Sequence, residues 1–222
     1  MKHIVSEGIV PKRTDYGEAY RIINLLTSTH GKLTGITKGV RNPKSKLAGG
    51  IELFSVSEIS FLEGRSDIKT ITATRLAQHF GKIISSYERS SVGFEIIKLT
   101  NKVTDEQPEN TYYQLLHDSL KFLDDVLVEP RLVELWFYCH LLRLEGRQPN
   151  LIVESETNSN FIFDFESMSF KSRAGGNFKP NHLKLMRVLS SHPPSVVKRL
   201  TDTGALVQDC LELVRRSYKY VS

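Results

Sequence analysis

Residues 19–50 read AYRIINLLTSTHGKLTGITKGVRNPKSKLAGG. Two apolar-rich runs, Ala19–Thr27 and Leu33–Val40, flank the turn Thr29-His30-Gly31-Lys32, and a loop follows over Arg41–Gly50. Runs of this kind around a Gly turn are the pattern of paired strands. The stretch also lies in an interval without any acid. Between Glu18 and Glu52 there is no Asp or Glu, yet Arg21, Lys32, Lys38, Arg41, Lys44 and Lys46 occur there. Small residues let the backbone come close to a ligand, and Lys and Arg heads then meet a polyanion. A phosphate backbone is the commonest partner of that type.

Outward from this window the strand pattern continues. Ile4, Val5, Ile9 and Val10 lie in short β-like runs ahead of a break at Pro11-Lys12-Arg13. ELFSVSEISFLEG, residues 52–64, alternates with Leu53, Val56, Ile59 and Phe61 apolar, and DIKTITATRL, residues 67–76, is β-branched. Short strands with Gly-rich connections and little helix predict a small closed barrel of the OB type. From about Gln78 the period becomes 3.6. Ile83, Ile84, Tyr87, Val92, Phe94, Ile97 and Leu99 fit helical faces broken near Ser90. Tyr112–Leu127 places Tyr112, Leu115, Leu116, Leu120, Leu123 and Leu127 on one side. Arg131–Leu144 is apolar nearly all round, the pattern of a central buried helix ended by Gly146 and Pro149. Leu183–Leu189, begun by Lys179-Pro180-Asn181, and Ala205–Tyr218 add two helices. Residues 150–178 are irregular except for a hairpin, Phe161–Phe165 with Met168–Lys171. The expectation is an α+β chain: a barrel over 1–78, then a helical domain over 79–222 with the hairpin as an insertion.

The 222 residues suffice for a substantial core. The formal net charge of +5 is uneven: residues 1–82 carry +6 and residues 83–222 carry −1. Such asymmetry suggests a basic binding module joined to a neutral body. Cys139 and Cys210 lie far apart with no CxxC, so a reduced structural role is expected for both, without disulfide or metal. The start MKHIVSEGIVPKR lacks the apolar run of a signal peptide, and no long apolar stretch follows, so a cytoplasmic protein is expected. Phosphate-loop, dinucleotide, zincin and nucleophile-elbow motifs are all missing. His30 has no carboxylate near it in sequence, and Asp124-Asp125 and Asp105-Glu106 read as solvated pairs. A non-enzyme without cofactor or metal is the expectation.

The bland account of the basic window is a solvated loop that maintains solubility. Its length and its spread over two strands, a turn and a loop argue against that, since cations from separate positions converge when a barrel closes. Tyr16, Tyr20, Phe54 and Phe61 flank it, and aromatics beside basic residues hold single strands by stacking. The alternation puts at least one of Phe54 and Phe61 in the core. The expected phosphate contacts are Lys32, Lys38, Arg41, Lys44 and Lys46, joined by Lys12, Arg13 and Arg21 if the barrel brings them round. An RNA-binding OB protein and an interaction scaffold indifferent to DNA are the alternatives; a membrane-surface role fits least, because the run is broken by Gly and Pro.

The runs GIVPKRTDYGEAYRIINLLT, THGKLTGITKGVR and PKSKLAGGIELF resemble the opening of the RecO family of recombination mediators. Tyr16-Gly17-Glu18, His30-Gly31-Lys32, Lys38-Gly39 and Lys44-Ser45-Lys46 are the sharpest points, and Leu141-Leu142-Arg143-Leu144-Glu145-Gly146 with Pro149 resembles the family's helix ending in LLxLxGxxP. The resemblance is strong over residues 4–60 and recognisable to about 150. It implies an OB barrel followed by a helical body. It implies a DNA repair and recombination protein, cytoplasmic and associated with the nucleoid. Such a protein binds single- and double-stranded DNA, anneals strands coated by single-stranded DNA-binding protein (SSB), and works with RecR to load RecA. It also implies that the acidic tail of SSB docks on the helical body, for which Arg131, Arg143 and Arg147 near Trp136 and Leu142 are the candidates. One departure is plain. Many members carry a four-cysteine zinc module after the GxxP turn, whereas residues 150–178 hold no cysteine. A zinc-free hairpin packed by Phe161, Phe163, Phe165 and Phe170 is expected instead.

Overall fold

The computed structural model describes residues 2–40, 42, 45, 47–63, 66–104, 110–153, 160–199 and 204–220. Its first strand, β1 (Lys2–Tyr16), is long enough to serve two neighbours. Lys2–Ile9 pair antiparallel with β4 (Ser55–Glu63), and Gly8–Tyr16 pair antiparallel with β2 (Tyr20–Thr27). β2 continues antiparallel into β3 (Gly31–Thr37), which pairs in parallel with β5 (Ile68–His79). β5 returns antiparallel to β4, so the strand order β1-β2-β3-β5-β4 closes into a barrel. This is the five-stranded OB-type barrel that the strand pattern predicts.

Two local expectations need correction. The break foreseen at Pro11-Lys12-Arg13 is instead a shift of register between Ile9 and Lys12 inside a continuous β1. A proline has no N–H for the ladder, and a bulge is where a strand tolerates that loss. The expected apolar set over residues 52–64 also divides between two faces: Ser57, Ile59 and Phe61 alternate inward in regular register with β1, whereas Val56, an odd number of residues from Ile59 and Phe61, is buried on the opposite face. Val10, Ile23, Leu25, Val40, Ile51, Ile59, Phe61 and Ile71 form the barrel interior.

The chain divides into two compact units, residues 1–124 and residues 125–222. The change from strand to helix comes earlier, after His79, because two helices pack with the barrel. α1 (Tyr87–Val103) starts at Ser86, whose hydroxyl accepts from the Arg89 N–H at 3.2 Å. It runs unbroken through Ser90, where a break was foreseen; the Ser90 hydroxyl donates to the Ser86 carbonyl at 2.9 Å. α2 (Asn110–Asp124) turns Tyr113 inward rather than Tyr112 and ends before Leu127, which is exposed. The Tyr113 hydroxyl donates to Glu7 of β1 at 2.5 Å. Burial and this carboxylate both raise the phenol above its ordinary value, which keeps it a donor. Asp124 accepts from the Lys82 N–H, and Asp105-Glu106 lie outside the described residues.

In the second unit α3 (Pro130–Leu144) is the central helix, as its all-round apolar pattern predicts, with Val133, Leu135, Phe137, Leu141 and Leu142 fully buried. Its buried Glu134 accepts two bonds from Arg215 of α5 (Gly204–Tyr220), at 2.9 and 2.5 Å. Gly146, at φ +69°, takes the left-handed conformation that closes the helix. α4 (Pro180–Ser191) begins at the predicted Lys179-Pro180, and the predicted hairpin forms as β6 (Phe161–Asp164) and β7 (Ser169–Ser172). Cys139 and Cys210 are buried free thiols, and burial pushes Cys139 up to about 12.

The basic window is moored to the barrel by the 3-10 turn Ala48–Ile51, where Thr74 of β5 donates to the Leu47 carbonyl at 3.0 Å. A Cβ on Gly50 would lie 2.5 Å from the Thr74 Cβ, while one on Gly49 meets nothing within 4 Å. Gly50→Ala is therefore expected to cost about 1–3 kcal/mol in urea unfolding, and Gly49→Ala less than about 0.5 kcal/mol.

Candidate nucleic-acid interface

Ile23 and Leu25 of β2 point into the barrel, so Tyr20, Ile22 and Asn24 between them face out. Cross-strand partners share a face. The outer surface of β1, β2 and β3 therefore carries Tyr16 opposite Tyr20, Thr14 opposite Ile22, and Lys12 opposite Asn24. On the β3 side Ile36 lies opposite Ile22, Thr34 opposite Asn24 and Lys32 opposite Leu26, with Lys38 just past the strand end.

One end of this surface is covered. The Lys32 ammonium donates to the Asn101 carbonyl at 2.7 Å, and the Asn24 amide donates to the Asn101 side chain at 3.3 Å. Asn101 lies in the last turn of α1, so Lys32 satisfies a carbonyl the helix leaves without a partner and meets the negative end of its dipole. The other end is open. Tyr16 and Tyr20 are 58% and 40% exposed on either side of the Gly17 turn, which takes φ +60°. Lys12 and Lys38 are exposed beside them, and neither has an ion-pair partner among the described residues.

The eight cations expected at the site thus separate. Arg13 is held by Glu52 at 2.6 Å and Arg21 by Asp15 at 2.8 Å. Lys32 caps α1. Lys12 and Lys38 meet no carboxylate among the described residues, and Arg41, Lys44 and Lys46 lie outside those residues. Of the four flanking aromatics, Phe54 and Phe61 are both buried, which leaves Tyr16 and Tyr20 for stacking. Their spacing across Gly17 (Tyr-Gly-Glu-Ala-Tyr) is a hairpin signal, and it could have picked out this pair from sequence. His30 sits in its turn, hydrogen-bonded to Thr29 at 2.7 Å with its ring edge-on to Phe61.

The residues expected to hold an acidic tail are also placed. Leu142 is fully buried, and Trp136, 7% exposed, donates to the His192 carbonyl at 3.1 Å. Both are core residues of α3 and offer no apolar surface to a peptide. Arg131 donates to Gln208 at 3.3 Å, Arg143 donates to the Ser190 carbonyl at 3.4 Å, and Arg147 is half-buried. No described helix is long and apolar enough to cross a membrane.

Residues 1–80 match the family model described as Recombination protein O N terminal, and residues 84–221 match that of Recombination protein O C terminal. The chain belongs to the RecO family. It is 37% identical to a DNA repair protein RecO of Dehalococcoides mccartyi over 66% of this chain and 57% of that one. The figures for a DNA repair protein RecO of Moorella thermoacetica are 33%, 66% and 54%, and for one of Alkaliphilus metalliredigens 29%, 78% and 69%. The chain thus spans less than two thirds of the length of the first two RecO relatives.

A zinc module of the kind many RecO proteins carry does not fit the residues present. The segment offers no cysteine, and aromatic rings occupy the hairpin: Phe163 lies 5.0 Å from both Phe165 and Phe170, and Phe170 lies 5.4 Å from Phe178.

Lys32 and the Lys12/Lys38 pair are expected to behave oppositely. Lys32→Met removes a charged hydrogen bond and should lower stability by about 1–2 kcal/mol while leaving the salt dependence of DNA binding unchanged. Lys12→Glu/Lys38→Glu should leave the melting temperature within a few degrees and weaken binding. Thermal melts and anisotropy titrations on the same samples check both.

Proposed function

We propose that the chain is a DNA repair and recombination mediator that works without catalytic chemistry of its own. It binds single- and double-stranded DNA on the barrel and anneals complementary strands coated by SSB. With RecR it helps to load RecA, acting in the cytoplasm at the nucleoid. The observation that carries this reading is the exposed Tyr16–Tyr20 pair flanked by Lys12 and Lys38 on the uncovered end of the outer barrel face. Stacking platforms beside cations hold single strands with little regard to sequence. Family membership and relatives named DNA repair protein RecO support the repair role.

Annealing follows from the same features. Cations screen the phosphates of two strands, and base pairing then proceeds downhill without ATP. Weak sequence preference is expected, because flat aromatic rings take any base and phosphate contacts carry no sequence information. Arg131, Arg143 and Arg147 remain the cations proposed for the SSB tail, without Trp136 and Leu142 as its apolar floor.

Annealing of complementary oligonucleotides coated with the cognate SSB is the test. Wild type should accelerate it without ATP. Tyr16→Ala/Tyr20→Ala should lose about tenfold or more in single-strand affinity, since stacking contributes about 1–3 kcal/mol per base. With about five phosphates contacted, raising salt from about 50 to 200 mM should weaken binding about a hundredfold. Affinity that ignores salt would sink the phosphate reading. Stronger competition by matched RNA would move the protein to RNA, and no acceleration at low salt would leave a scaffold.

A further inference from the structure

The second unit contains a cavity of about 600 Å³ between the β6–β7 hairpin and α5 that the DNA-binding reading does not use. Its size is that of a small-ligand site. Three rings line it: Phe163, Phe165 and Phe178. The Arg216 guanidinium carbon lies over the Phe165 ring, 4.8 Å from its centre. Aromatic rings and guanidinium planes are the surfaces on which unstacked bases rest.

The polar groups at the cavity are of both signs. Arg173 and Arg216 line it as donors, Asp209 and Glu212 as acceptors, and Asn177 offers both. With equal numbers of cations and carboxylates the cavity is no phosphate channel. Asp209 spends one oxygen on His182, at 3.0 Å. Glu212 accepts from Gln208 at 2.8 Å through one oxygen, and its second oxygen has no partner among the described residues. Glu212 and Arg216 stand four residues apart on α5, where opposite charges ordinarily pair. They do not pair here. An unpaired donor and an unpaired acceptor therefore face one aromatic-walled space.

We propose that this cavity takes a single unpaired guanine base of a bound DNA strand. Guanine sets two acceptors, O6 and N7, side by side, which a guanidinium reads bidentately. Its Watson–Crick edge, next to these, sets two donors, N1–H and the amino group, side by side, which a carboxylate accepts. Adenine and cytosine offer one amino donor beside a ring-nitrogen lone pair, and thymine one N–H between two carbonyl oxygens, so none presents two adjacent donors to Glu212 and each sets a lone pair against it. The roles are Arg173 or Arg216 on O6 and N7, Glu212 on N1–H and the amino group, and Phe163 and Phe178 against the ring. The inference rests on the DNA-binding reading in one respect: the base is delivered as part of a strand.

The test has two arms, both on the full chain. In the first, anisotropy compares an oligothymidylate of about fifteen nucleotides, within the span of one or two barrel sites, with versions carrying one central guanine or one central adenine. The guanine version should bind about tenfold tighter than the adenine version. Glu212→Gln should abolish that preference without changing affinity for oligothymidylate or the circular dichroism spectrum, and Arg173→Ala should reduce it. Equal binding of the two versions, or a preference that survives Glu212→Gln, overturns the proposal. In the second arm dGMP and dAMP are titrated directly while the phenylalanine ring signals are followed by NMR. If oligothymidylate is not bound at all, the DNA reading fails and this arm alone decides. Shifts with dGMP and none with dAMP uphold the pocket, and shifts with both or neither overturn it.

Discussion

The barrel depends on β1 serving two partners at once. Its first half belongs to β4 and its second to β2, and the ring of strands closes only because one chain segment spans both ladders. A straight strand cannot turn that corner, and the register shift between Ile9 and Lys12 supplies the bend. Pro11 sits within it, where its missing N–H costs the ladder least. The consequence reaches the binding surface. The bulge sets which side chains of the second half face outward, so it sets Lys12, Thr14 and Tyr16 on the outer face and sends Arg13 and Asp15 toward the barrel rim. A strand without the bulge would exchange the two sets.

Once those faces are fixed, the charge of the window is partitioned by long-range contacts. The acid-free run is flanked in sequence by acids that return in space: Glu52 reaches Arg13, and Asp15 reaches Arg21. Such exposed pairs contribute little to stability, about 0–1 kcal/mol each, yet they reduce the field a ligand meets. Lys32 is withdrawn for a different reason. It lies against the end of α1, where it caps a carbonyl and meets the negative end of the helix dipole.

What could be read in the sequence follows the range of the interactions concerned. Period and turn chemistry are local, so the strands, the α3 core helix, the β6–β7 hairpin and the Lys179-Pro180 start of α4 were all legible. Family resemblance added the barrel-then-helices order. The break expected near Ser90 does not occur, because the helix is capped earlier, at Ser86, and the Ser90 hydroxyl turns back to the Ser86 carbonyl inside it. The site was half legible. The Tyr16–Tyr20 hairpin is local, whereas Asn101 lies 69 residues from Lys32, and no pattern in the window announces it. Trp136 and Leu142 failed as a docking surface for a similar reason: an all-apolar helix says that it is buried without saying which side is left over.

The openness of the barrel site bears on what an annealing protein has to do. From the edge of the covered end at Lys12 to the open Tyr16–Tyr20 pair, the outer face runs four residues along β1, about 13 Å at strand rise. Two rings and two exposed lysines on such a span hold a few nucleotides at most. Stacking of about 1–3 kcal/mol per base is comparable with the energy that each new base pair returns. A deep groove that buried the bases would have to be emptied before pairing could start, and its binding energy would add to the barrier. A shallow platform lets the second strand strip bases from the rings one at a time, each loss offset by a pair formed. Burying Phe54 and Phe61 rather than displaying them therefore suits the proposed activity, since it keeps the grip weak where the strand must leave.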